Sequence, residues 1–203
     1  MHNMTHICLL RHGETQGGAR FHGSSDVLLS EHGWSQMQAA VENKNNWNRI
    51  ISSPLSRCAD FAQTLKQRYD IPLQFDTRIK EIHFGIWEGK SAEEIMRNDV
   101  DALTRYWQDP TQYTPHDGES LIDFEARILS FWQEIITRYR GEKILLIAHG
   151  GVIRLLLCHI LQRPLQRILE VEVAHATIHV IRIEHTQQHI QPQAHTAFIE
   201  TKI

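Results

Sequence analysis

Cysteine is scarce in this chain. Cys8, Cys58 and Cys158 form an odd set in apolar surroundings, without metal-ligand spacing, and they read as buried, reduced thiols of a cytoplasmic protein. Charge of one sign is lacking too. A formal net charge of −3 provides no basic field, which excludes a nucleic-acid binder that works through counterion release. Any anion site must therefore be built locally. No apolar run approaches the roughly 20 residues of a membrane span. The first apolar run ends at once in Arg11-His12, so no secretory signal pattern is expected. Linkers, internal repeats and low-complexity tracts are missing as well. The 203 residues can bury one good core, and a single domain over 1–203 is expected.

The one abundance is histidine, with fourteen. No H-E-x-x-H or tight cluster occurs among them. His175, His179, His185, His189 and His195 read as solvated strand and loop positions rather than a metal-binding tail. Neither a metal nor a cofactor is expected. No nucleic acid and no membrane are expected as partners, and the oligomeric state is left open, a homodimer included.

One layout occurs three times. Ile7-Cys8-Leu9-Leu10 has the length and bulk of a buried strand, and it runs into Arg11-His12-Gly13-Glu14-Thr15. In open α/β sheets, ligands bind beyond the carboxyl ends of strands. Arginine offers a planar fork of donors suited to phosphate, and a neutral histidine can act as a nucleophile. Alone, the triplet is equally well an ordinary turn. Arg49-Ile50-Ile51 then runs into Ser52-Ser53-Pro54-Leu55-Ser56-Arg57, with Pro54 expected in the first helical turn. Leu55, Cys58, Ala59, Ala62, Leu65 and Tyr69 share one apolar face, and Arg57 lies on the first turn. Finally, Lys143 to Ala148 forms a central strand ending in His149-Gly150-Gly151, followed by an apolar helix from Val152 to Leu161. Glycines there allow close approach of a ligand to a helix N-terminus.

Between these units, Ser30 is placed as an N-cap before Trp34, Met37 and Val41. Leu73 to Phe75 reads as a weaker strand. The stretch Ile79 to Gly89, dense in glycine and aromatics, reads as an ordered functional loop. Ser91 opens a capping box, irregular helical sequence follows to Asp109-Pro110, and 111–118 is loop. Ser120 caps a long helix whose buried face is Leu121, Phe124, Ile128, Trp132, Ile135 and Tyr139. Ala176 to Ile183 is a last strand. Alternating strands and helices predict an α/β fold, a three-layer α/β/α sandwich around a largely parallel central sheet. Residues 82–119 are expected as a loop and helical segment over the active site.

On these residues the chain resembles the histidine phosphatase superfamily, with its phosphoglycerate mutase-like fold. The matching motifs are Leu10 to Thr15, Ser53 to Arg57, Glu81 with Phe84 to Gly89, and Ala148 to Gly151. The resemblance implies that His12 takes the phosphoryl group, that Arg11, Arg57 and His149 hold its oxygens, and that Glu81 is the general acid. Gly150 and His22 are further implied substrate contacts. Phosphoryl transfer requires an in-line nucleophile and charge stabilisation on the equatorial oxygens, which two arginines and a histidine can supply. A carboxyl can protonate the leaving alkoxide and later deprotonate water. From the residues alone, Glu81 and Glu88 are equal candidates; the resemblance favours Glu81.

Two positions depart from the family pattern. Gly18 replaces a frequent asparagine, and His22 a common glutamine, so His22 either contacts phosphate or marks looser binding. Within the superfamily the chain resembles α-ribazole-5′-phosphate phosphatases of cobalamin assembly and small broad-specificity phosphatases. The grounds are Gly23 to Ser30, Phe84 to Gly89 and Gly118-Glu119-Ser120, with Asp117 where a glycine is usual. The long insertion of the mutases is missing between Glu81 and His149. Trp87 or Trp107 could stack on a benzimidazole, though packing is the commoner job for either. The implied function is a phosphomonoesterase working through phosphohistidine, on α-ribazole 5′-phosphate or on sugar phosphates and similar esters. Its rivals are a non-catalytic phosphate-binding module, which has no need of Glu81, and a histidine-rich metal protein.

Overall fold

A computed structural model describes residues 4–44, 46–185 and 195–201. Among the described residues, six strands form one sheet: β1 (Met4–Arg11), β2 (Arg49–Ser52), β3 (Leu73–Phe75), β4 (Lys143–Ala148), β5 (Ile178–His185) and β6 (His195–Thr201), in the order β3-β2-β4-β1-β5-β6. The first four strands run parallel, and β5 and β6 add an antiparallel edge. The described residues also form six α-helices: α1 (Glu31–Val41), α2 (Ser56–Tyr69), α3 (Ala92–Asn98), α4 (Val100–Gln108), α5 (Leu121–Arg138) and α6 (Gly150–Ile160).

Side-chain alternation along the strands builds the layers. Ile7 and Leu9 of β1, with Ile144 and Leu146 of β4, pack against Phe124, Ile128 and Phe131 of α5 and Val152 and Leu156 of α6. Leu10, Leu145 and Ile147 point the other way, onto Met37 and Val41 of α1 and Phe61 and Leu65 of α2. The protein is thus an α/β sandwich of three layers. At roughly 25 cal/mol per Å² of apolar surface removed from water, these two interfaces are the main stabilising term. Among the described residues, no helix is long and apolar enough to cross a membrane.

Local capping explains several helix starts. Ser30, Ser91 and Ser120 each accept an amide of their own first turn, and Ser91 and Glu94 complete a capping box. Pro54 lies outside α2, contrary to expectation. The helix begins at Ser56, whose amide and hydroxyl donate to Asp26 at 2.7 and 2.8 Å, so a side chain from a distant loop caps it. The apolar helix begins at Gly150 rather than Val152. The last predicted strand starts two residues later, because Ala176 sits in a turn at φ +54°. Strand β6 was not anticipated, since its apolar part is the three residues Ala197-Phe198-Ile199, shorter than the apolar runs of β1 and β4. Cys58 and Cys158 are buried, whereas Cys8 is half-exposed.

The histidine expectation also needs correction. His179 and His185 are buried on β5 rather than solvated, because that strand turns alternate residues onto the α6 face. His195 lies on β6, and His189 is outside the described residues.

Between β3 and α5, Trp87, Ile95, Leu103 and Tyr106 form a separate apolar cluster with Phe21, Phe84 and Tyr113. Trp87 is buried and stacks on Tyr113 at 5.9 Å between ring centroids, so it is a packing residue. Trp107 is exposed.

Candidate active site

Register brings the three strand ends together. Arg11 pairs with Ala148 across β1 and β4, and Ser52 pairs with Ile147 across β2 and β4. The ladder continues one step further: the His12 amide donates to Ala148 O and the Ser53 amide to Ile147 O, both at 3.0 Å. His12, Ser53 and His149 therefore leave the sheet at one level.

His12 is buried, and its Nδ1 lies 2.7 Å from Gly13 O. A carbonyl can only accept, so Nδ1 carries the proton and Nε2 keeps its lone pair. Burial, then the nearby Arg57 charge, holds this imidazole well below the usual histidine range; the ring is neutral near neutral pH. His149 stands edge-on to it at 5.2 Å between centroids. That second ring is fully buried, with its pKa depressed first by burial and then by Arg57. Both its nitrogens are engaged: Nδ1 accepts from Arg57 Nε at 3.2 Å, and Nε2 donates to Ser53 Oγ at 2.7 Å.

Arg57 is fully buried and has no carboxylate within ion-pair distance among the described residues. Backbone carbonyls take three of its four remaining N–H donors, with Nη1 on Ser25 O at 2.7 Å and Nη2 on Gly23 O at 2.5 Å and His22 O at 3.3 Å. Arg11 donates from Nη1 to Val173 O at 2.6 Å and from Nη2 to His175 Nε2 at 2.9 Å. Its Nε–H is buried without a partner, 3.3 Å from where a side chain on Gly150 would begin. Burial lowers the Arg11 pKa to about 10, against the opposing pull of Glu81. A fully buried guanidinium and a half-buried one with an orphan buried donor face a cost that an anion would relieve.

Glu81 is held by amides: Ile82 N–H donates to Oε1 at 3.1 Å and Gly151 N–H to Oε2 at 2.8 Å. A Cβ on Gly151 would fall 2.3 Å from Oε1, so any larger residue there must push this carboxylate off its seat at the start of α6. Glu88 is different. It accepts from the amides of Gly23, Ser24, Ser25 and Phe84 and from the Ser25 hydroxyl. Burial alone would raise its carboxyl, but those bonds, led by Ser25, outweigh burial and lower it. Glu88 is thus a clamp between two loops.

His22 contributes its carbonyl to Arg57, while its ring nitrogens are buried and unpartnered, packed where a Cβ on Gly17 would stand. His175, read from sequence only as a solvated position, stands at the site. Its ring is exposed and lies 5.7 Å from that of His12. Burial and the Arg11 charge lower its pKa. No local signal marks it, because the antiparallel pairing of β5 on β1 is what carries it there. Beside Glu81, a cavity of about 360 Å³ is lined by Phe84, Tyr106, Trp107, Phe124 and Arg154.

A neutral imidazole with a fixed proton, two guanidiniums and an amide-held carboxylate at the strand ends of an α/β sandwich define a protein that handles phosphate esters. The chain belongs to the histidine phosphatase superfamily (branch 1), whose sequence profile matches residues 7–195, and it is a phosphoric monoester hydrolase. It is 34% identical over 169 residues to glucosyl-3-phosphoglycerate phosphatase of Mycolicibacterium vanbaalenii, covering 78% of this chain and 75% of that protein. The structure of Bacillus stearothermophilus YhfR superposes with a TM-score of 0.81 at 31% identity, over 87% of this chain and 90% of that one. An α-ribazole phosphatase from Shigella flexneri shares the fold, with a TM-score of 0.80 at 22% identity over 97% and 95% of the two chains.

Proposed function

We propose that the enzyme hydrolyses small phosphate monoesters through a phosphohistidine formed on His12. In the first half, His12 Nε2 attacks phosphorus in line, the P–O ester bond breaks, and Glu81 gives its proton to the departing oxygen. In the second half, Glu81 takes a proton from water, the hydroxide attacks phosphorus, and the P–N bond breaks to release inorganic phosphate and free His12. Arg11 Nε and the Arg57 charge stabilise the equatorial oxygens; His149, expected from the resemblance to hold them as well, has both ring nitrogens engaged and positions Arg57 beside His12. Residues 82–119 cover the alcohol portion of the ester. The observation that carries this reading is the Nδ1–H bond to Gly13 O, which leaves the nucleophilic nitrogen unprotonated.

Two substrate readings have support. For α-ribazole 5′-phosphate, the grounds are the sequence resemblance and the aromatic cavity beside Glu81. For a phosphorylated sugar or sugar acid, they are the likeness to glucosyl-3-phosphoglycerate phosphatase. The test is purified enzyme on α-ribazole phosphate beside a panel of sugar phosphates, with His12→Ala and Glu81→Gln as controls. His12→Ala is expected to abolish turnover. Glu81→Gln is expected to slow it about 10²–10⁴-fold and to accumulate an acid-labile phosphoenzyme. Full turnover of p-nitrophenyl phosphate by His12→Ala would overturn the mechanism, and equal rates on every ester would reject the cobalamin assignment.

A further inference from the structure

Arg154 is a cation that the reaction above leaves unused. It lies on α6 three residues after Gly151, and residues so spaced share a helix face. It therefore stands one turn along from the amide that holds Glu81. Its Nε donates to Val171 O at 2.9 Å, which fixes the plane of the guanidinium. Nη1 and Nη2 have no acceptor among the described residues, and no carboxylate lies within ion-pair distance of them. Arg154 is half-buried and lines the cavity of about 360 Å³ that Glu81 also lines, where Phe84, Tyr106, Trp107 and Phe124 provide apolar walls. A charge in such walls is unfavourable until an anion meets it.

We infer that Arg154 receives a carboxylate carried by the alcohol portion of the substrate, so that the preferred esters are phosphorylated hydroxy acids. This rests on the proposed phosphatase reading, in which Glu81 stands at the ester oxygen. The carboxylate then sits a few bonds from that oxygen, one helical turn along α6. One guanidinium matches a monoanionic carboxylate. A second phosphoryl dianion would need more positive charge than this cavity holds, because Arg11 and Arg57 serve the scissile group. The two terminal nitrogens, with Nε already engaged, present an end-on pair of donors that fits two carboxylate oxygens. The inference favours a sugar acid or another hydroxy acid over α-ribazole, whose alcohol portion carries no carboxylate.

The test compares 3-phosphoglycerate with glycerol 3-phosphate, which differ in carboxylate against hydroxymethyl. Wild-type enzyme is expected to favour the acid about 10–100-fold in kcat/KM, the range for charge-assisted hydrogen bonds in a partly buried site. Arg154→Gln is expected to reduce that ratio to within about twofold, chiefly by raising KM for the acid, and Arg154→Lys to restore part of it. A wild-type enzyme indifferent to the carboxylate would overturn the inference. So would an Arg154→Gln loss equal for both esters, since that marks a structural arginine. Failure of the phosphohistidine reading is separately visible, as turnover of p-nitrophenyl phosphate that survives His12→Ala.

Discussion

The neutral state of His12 has a thermodynamic signature that can be measured without substrate. Its pKa is depressed in the folded protein by burial and by Arg57, whereas in the unfolded chain it titrates near 6.5. Below that value the unfolded state binds a proton that the folded state refuses, so stability falls as pH falls. Integrated from pH 6.5 to 5.5, one such ring removes about 1 kcal/mol, a large share of a typical 5–15 kcal/mol. His149, His175 and His179 act in the same direction, so the wild-type slope alone does not isolate one ring. His12→Asn does. Its side-chain amide can still donate to Gly13 O, yet it does not titrate. In urea denaturation at the two pH values, in buffer free of phosphate, the wild type is expected to lose about 1 kcal/mol more than His12→Asn. Parallel losses would show that the folded ring titrates normally. The attacking nitrogen would then be protonated over much of the working range.

Two further substitutions probe the supports of the site. Gly151→Ala places a methyl group 2.3 Å from Glu81 Oε1 and is expected to displace the carboxylate, lowering kcat on poor leaving groups about 10–100-fold. An unchanged kcat would mean that Glu81 does not need this seat. Arg57→Met removes the donors held by His149 Nδ1 and the carbonyls of Ser25 and Gly23. At about 1–3 kcal/mol for each stranded acceptor, chemical denaturation should show a loss of at least ~3 kcal/mol. A loss under about 1 kcal/mol would refute the cradle.

Local chemistry was readable in advance where it is self-contained. Ser30, Ser91 and Ser120 bond within their own first turns, so four residues suffice to find each cap. Strands β1 and β4 announce themselves because both faces are buried and the apolar run is nearly unbroken. What escaped depends on distant pairing. Asp26 moves the start of α2, the apolar part of β6 is only three residues long, and His175 reaches Arg11 only because β5 runs antiparallel to β1. Glu81 and Glu88 sit in irregular backbone seven residues apart, and only their amide partners distinguish them. Arg154 reads as a polar interruption of an apolar helix until the cavity is seen.

The Glu88 clamp ties specificity to catalysis. One carboxylate grips the Gly23–Ser25 turn and the backbone at Phe84 together, and that same turn supplies the carbonyls around Arg57. A lineage exploring new substrates can vary exposed positions of α3 and α4 such as Met96 and Val100, which make no hydrogen bond to this knot. Any drift that shifts Phe84 itself would be transmitted to the guanidinium, so diversification is channelled to the rim while the junction stays frozen.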